Sequence, residues 1–226
     1  MPELSDFQLT IITYAFRIPA VLIALTVHEV CHGFAAYKLG DTTARDMGRL
    51  SLNPLRHLSP LGCLCMILFG FGFAKPVPIS TRGFKKPKRD MAITALAGPL
   101  SNLCLAVIGI LIESVILNIP IREPSGFGYW TLFAAYNFVY IFYMLNLSLC
   151  VFNMIPVPPL DGSRVLWSFL PPDLYFGVMK YERYIMLALF VLIWTGALST
   201  VIVTAVSWLS GVIHNMIYLI PFLRVR

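Results

Sequence analysis

Apolar residues in this chain run in long unbroken stretches, and the lengths of those stretches predict its elements. The first run, from about Leu9 to Ala36, is long enough to cross a bilayer as a helix, for which about 20 apolar residues suffice. Lys38 and Gly40 end it. From Asp41 to Pro60 the sequence turns polar, with Arg45, Arg49, Asn53-Pro54 and Arg56, and predicts extended chain and turns. Leu61 to Ala74 is apolar again but short and glycine-rich, which suits a re-entrant or interfacial element better than a full span. Beyond the basic residues Lys75, Arg82, Lys85, Lys86, Lys88 and Arg89, a second span is expected from about Met91 to Leu117 and a third from Tyr129 to about Met154.

The third span must end abruptly. Pro156, Pro158 and Pro159 lack backbone donors and clash with the preceding turn, so Asn153 to Gly162 cannot continue as helix. Broken backbone at membrane depth survives only where protein or a wet cavity surrounds it. The final apolar run, Tyr184 to about Phe222, would measure about 58 Å as one straight helix, nearly twice a hydrocarbon core. It must kink, tilt or fold back, with Gly196 and Gly211 as the candidate positions.

Composition agrees. Hydrophobic residues make up 58% of the 226 residues and charged ones 12%, and the mean hydropathy is +0.78. Ordinary soluble domains carry about 25% charged residues. The expected fold class is an all-α polytopic membrane protein with four to six transmembrane helices, a re-entrant or interfacial element and a proline-broken helix. Residues 1–226 form a single domain in this reading, and the first run, with Glu3 and Asp6 ahead of it instead of a basic segment, is a retained span.

The net charge of +6 does not indicate nucleic acid, because the basic residues gather between spans. Residues 38–89 hold ten of the seventeen lysines and arginines, so that segment is expected on the cytoplasmic side of the cell membrane. The five cysteines follow no metal-ribbon or redox spacing and read as packed small hydrophobes.

Candidate chemistry sits within the first apolar run, where His28, Glu29, Val30, Cys31 and His32 spell H-E-V-C-H. Ionisable groups inside a span are costly and mark functional sites. Residues four apart on a helix differ by about 40° around its axis, so His28 and His32 share a face and can grip one metal ion. Glu29 projects elsewhere, free to act on a metal-activated water. No glutamate lies between Glu29 and Glu113 to serve as a thermolysin-type third ligand, and Ala35 and Leu39 stand where a metzincin has glycine and histidine. Asp161, in the proline-broken chain at matching depth, is the best third ligand. Capping of the short helix after it is the alternative role.

Three blocks, His28 to His32, Ala97-Gly98-Pro99-Leu100-Ser101-Asn102, and Asn153 through Gly162, together resemble the site-2 protease family of intramembrane zinc metalloproteases. The chain is similar to the compact prokaryotic branch that lacks an inserted PDZ domain. The resemblance implies one zinc ion per chain on His28, His32 and Asp161, Glu29 as the catalytic carboxylate, and Asn102 near the scissile carbonyl. It also implies a transmembrane protein substrate in the lipid bilayer, such as an anti-sigma factor or a membrane-tethered regulator. The alternatives are a zinc-binding membrane scaffold without proteolytic activity and a transporter, although no internal repeat supports a transporter. Asn137 and Asn146 are expected to bond across helices. Backbone edges around Lys75 to Ile79 offer pairing sites for an extended substrate.

Overall fold

The computed structural model describes residues 5–57, 59, 75–120, 126–171, 174, 177, 180–221 and 223. Its helices are α1 (Asp6–Lys38), α2 (Thr43–Asp46), α3 (Pro87–Leu117), α4 (Phe127–Asn153), α5 (Asp161–Trp167), α6 (Glu182–Trp194) and α7 (Ser199–Ile217). No β-strand occurs among the described residues. Four helices are long and apolar enough to cross a membrane: the Thr10–Lys38 part of α1, α3, α4 and α7. The chain is thus an all-α, multi-pass membrane protein with the three expected early spans in place. The re-entrant element expected over Leu61 to Ala74 lies outside the described residues.

The last apolar run breaks at Gly196, whose φ of +74° is a left-handed conformation that glycine adopts without a Cβ penalty. Gly211 lies inside α7 and does not break it. Of the two pieces, α6 has 13 residues and is about 20 Å long, short of a hydrocarbon core.

The polar stretch after α1 is more ordered than expected. Asp41 accepts from the N–H of Thr43 at 3.0 Å and starts the single turn of α2, and Asn53 caps a 3-10 turn, Pro54–Arg56, by accepting from Leu55 N–H at 3.0 Å. Both are local side-chain to backbone bonds, which the proline and glycine content of this stretch does not reveal.

Helix α3 is the central element and packs against α1, α4, α5 and α7. The apolar core lies between α3, α4 and α7, where Ala106, Ile110, Val139, Tyr143, Leu147, Val206, Ile213 and Ile217 are buried together. Toward the N-terminal end of α3 that packing gives way to buried polar groups: His28, His32, Thr94, Asn102 and Asn146. Large apolar side chains such as Leu187, Trp194, Val201 and Trp208 point outward, as a bilayer allows.

Candidate metal centre

His28 and His32, one turn apart on α1, place their Nε2 atoms 3.0 Å from each other. Oδ2 of Asp161, at the start of α5, lies 3.2 Å from both. Two segments separated by more than 120 residues therefore present three ligand atoms to one point. Leu160 occupies the N-cap of α5, so Asp161 is not the capping residue of its helix.

Hydrogen bonds fix the protonation of this triangle. Nδ1 of His32 lies 2.7 Å from the Thr94 carbonyl oxygen, which can only accept. Nδ1 of His28 lies 2.6 Å from Oδ1 of Asn102. The Asn102 amide donates to Oδ1 of Asn146 at 2.8 Å and to the Ala24 carbonyl at 3.4 Å, and Asn146 donates to the Phe142 carbonyl at 2.8 Å. Those backbone carbonyls set the orientation of both amides, so both imidazoles carry their proton on Nδ1 and turn a bare Nε2 inward. Three acceptors thus converge without a proton of their own.

Such a triangle is electrostatically unfavourable unless a cation joins it. Ligands about 2.0–2.1 Å from a tetrahedral zinc ion are about 3.3 Å apart, close to the spacing here, and two imidazoles with one carboxylate match its preferences. The donor set fits zinc with one position left open. Among the described residues this is the single group of three or more His, Cys, Asp and Glu side chains able to hold a metal. Cys31 is not part of it; its thiol meets Ser101.

Local sequence explains how the ligands come together. A Cβ on Gly98 would meet the His32 ring and stand 2.6 Å from Cε1 of His28, so only glycine lets α3 lie against both rings. Pro99, next along, cannot donate to the carbonyl of Ala95, which loosens α3 at the turn carrying the Thr94 carbonyl. In the break between α4 and α5, Val157 N–H donates to Ile155 at 2.8 Å and Leu160 N–H to Val157 at 3.0 Å. A Cβ on Gly162 would meet the carbonyl of Met154, which explains the glycine after Asp161.

Glu29 is half-buried, and Oε2 accepts from the backbone N–H of Val77 at 2.7 Å. Neither that contact nor the bond from His32 to the Thr94 carbonyl is marked by a residue type in the chain. Asn102 is fully buried, with its carbonyl given to His28 and its amide to Asn146 and Ala24. These contacts engage both ends of its amide, with the carbonyl on the ring of His28. Along the Lys75 to Ile79 edge expected to pair with substrate, some donors are already used or missing. Lys75 N–H donates to the His57 carbonyl at 2.7 Å, Val77 N–H serves Glu29, and Pro76 has none. Asn137 bonds within its own helix, to Phe133, whereas Asn146 does reach across.

The profile of "Peptidase family M50" matches residues 114–196, a span that includes Asp161 but not α1. "Putative zinc metalloprotease YwhC" of Bacillus subtilis is 37% identical over 78% of this chain and 80% of its own length. "Putative zinc metalloprotease Rip2" of Mycolicibacterium smegmatis is 31% identical over 83% of this chain and 70% of its own. A more distant relative, "Putative zinc metalloprotease MJ0611" of Methanocaldococcus jannaschii, is 28% identical over 81% of this chain and 94% of its own. No solved structure matches the chain. Identity of 30% or more over more than two thirds of both chains, together with the profile match, means that the chain belongs to peptidase family M50, the site-2 protease family of metalloproteases.

Proposed function

We propose that this protein is an intramembrane zinc endopeptidase that hydrolyses peptide bonds in or near the transmembrane segments of other membrane proteins. One observation carries the reading: three unprotonated ligand atoms from α1 and α5 meet within 3.2 Å of one another, and a fourth ionisable group, Glu29, adjoins them without belonging to the triangle. His28, His32 and Asp161 hold one zinc ion per chain. Zinc bound there supplies Lewis acidity, which lowers the pKa of a water and polarises a peptide carbonyl.

The remaining chemistry belongs to the chain. Glu29 takes the proton of the attacking water as its oxygen adds to the carbonyl carbon. The C–N bond then breaks, and Glu29 hands the same proton to the departing nitrogen, so that the carboxylate is regenerated. Asn102 acts by fixing the tautomer of His28. Burial of the site also means that a substrate helix must unwind to expose its carbonyl.

The ends of α1 and α4 and the start of α3 meet around this site, beside the segment richest in lysine and arginine. That charge supports a cytoplasm-facing site. A membrane-tethered regulator, including an anti-sigma factor, is the class of substrate that such a site would release.

The test is zinc content in purified protein, for wild type, Asp161→Ala and Glu29→Gln. About one zinc in wild type, little in Asp161→Ala, and full zinc without proteolysis in Glu29→Gln are expected. Metal-free wild type would sink the metal centre, and cleavage by Glu29→Gln would sink the base.

A further inference from the structure

The segment from Lys75 to Ser80 runs as a strap without regular structure into a 3-10 turn, Thr81–Gly83, and groups outside the centre hold it at several points. Arg49 is buried, and its Nη2 donates to the carbonyls of Lys75 at 2.6 Å and Pro76 at 3.2 Å. Asp41, also buried, uses Oδ1 to start α2 and Oδ2 to accept from the N–H of Ser80 at 2.7 Å. The backbone carbonyl of His57 accepts from Lys75 N–H at 2.7 Å. Gly40, at φ +111°, and Gly83 approach so closely that a Cβ on Gly83 would lie 2.7 Å from the Gly40 carbonyl oxygen. Between these anchors lies Val77, with its side chain buried and its N–H on Oε2 of Glu29.

Arg49 and Asp41 bury charge against this segment, Asp41 sharing its carboxylate with the start of α2. Burying an ion costs free energy unless it is paired and hydrogen-bonded, and a surface connection does not ordinarily require it. Pro76 and Pro78 flank Val77 and remove the neighbouring donors, so that the strap delivers one N–H to one carboxylate oxygen.

We propose that Arg49 and Asp41 are positioning residues for Glu29. They clamp the strap so that the Val77 N–H fixes Oε2 and the carboxylate keeps Oε1 for the proton. This rests on the reading of Glu29 as the base. A carboxylate free to rotate would lose the geometry of proton transfer, and a displacement of about 1 Å is worth up to about 100-fold in rate.

The test uses full-length protein in detergent, β-casein as an unfolded model substrate, and zinc content as the control. Arg49→Ala and Val77→Pro, which deletes the N–H, should lower kcat about 10–100-fold, with KM within about twofold and zinc retained. Val77→Ala, which keeps the N–H, and Arg49→Lys should recover most of that loss. Hydrogen exchange gives a second reading without turnover: Glu29→Ala should remove protection from one amide in the 75–80 peptide. Unchanged kcat in zinc-loaded Arg49→Ala and Val77→Pro, or a change confined to KM, would overturn the proposal. So would unchanged exchange in Glu29→Ala, which also decides the matter if the Val77 variants fail to fold. Failure of the base itself reads differently, as cleavage by Glu29→Gln.

Discussion

Nδ1 of His28 donates to Oδ1 of Asn102 at 2.6 Å, and Asn102 is itself held by Asn146, so three helices contribute to the orientation of one metal-facing ring. The relay begins at the Phe142 carbonyl, runs through both amides and ends at the bare Nε2 of His28. Removing the acceptor frees the ring to rotate or to change tautomer.

Asn102→Ala is therefore expected to weaken zinc binding about 10–100-fold, as loss of such outer partners does elsewhere. Asn146→Leu should do the same to a smaller degree, because it acts one step further out. Competition with a chelator measures both. Unchanged zinc affinity with lost cleavage in Asn102→Ala would return Asn102 to the substrate.

Gly98 is the point at which α3 meets both imidazoles. Gly98→Ala places a methyl group against the two rings and should displace at least one ligand, with zinc falling well below one per chain. The change raises helix propensity by about 1 kcal/mol, so the fold should persist. Circular dichroism and metal analysis on the same sample separate the two effects. Full zinc occupancy in Gly98→Ala would mean that α1 and α3 are free to move apart.

Away from the centre, His214 on α7 pairs with Glu113 on α3 at 2.9 Å, and Tyr143 on α4 donates to the other oxygen of Glu113 at 3.2 Å. Glu113 is eleven residues beyond Asn102, about 16 Å along α3, so this cluster holds α7 to the core without touching the metal. His214→Ala should cost about 1–3 kcal/mol, the usual loss when a buried group loses one hydrogen-bond partner, while Tyr143 still donates to Glu113. Zinc content should not change. In a Glu113→Gln background the same substitution should cost clearly less, by thermal unfolding in detergent. Equal costs in both backgrounds would show that the pair contributes nothing.

The spans, and the candidate ligands that the fold brings together, were legible in the chain because each depends on a strong local signal. Apolar length marks α1, α3 and α4, histidines four apart mark one helix face, and prolines mark the break before Asp161. The relation of Asp161 to His28 was legible only through chemical need, since a buried carboxylate requires a counter-charge. The strap was not legible. Its contact with Glu29 joins residues 29 and 77 through a backbone N–H, which has no residue type to betray it. Nor does residue type distinguish an asparagine that would meet substrate from one that would orient a ligand, because both need the same amide at the same position. The His214 and Glu113 pair was hidden for a similar reason: each is single in its span, and only packing of α7 on α3 brings them together.

Metal removal should destabilise the protein as well as inactivate it. Nε2 of His28, Nε2 of His32 and Oδ2 of Asp161 face one another as acceptors at 3.0–3.2 Å, and a cation offsets their mutual repulsion in the folded state alone. Zinc at about 100 times its Kd adds about 2.7 kcal/mol to stability when the unfolded chain does not bind it. For a chain of this length that corresponds to about 5–10 °C in Tm. Unfolding of wild type in detergent, with zinc and with a chelator, should show that difference. Glu29→Gln should show all of it, because Glu29 lies outside the ligand triangle, whereas Asp161→Ala should show little. Loss of the zinc-dependent shift in Glu29→Gln would make Glu29 a ligand and remove it as the base.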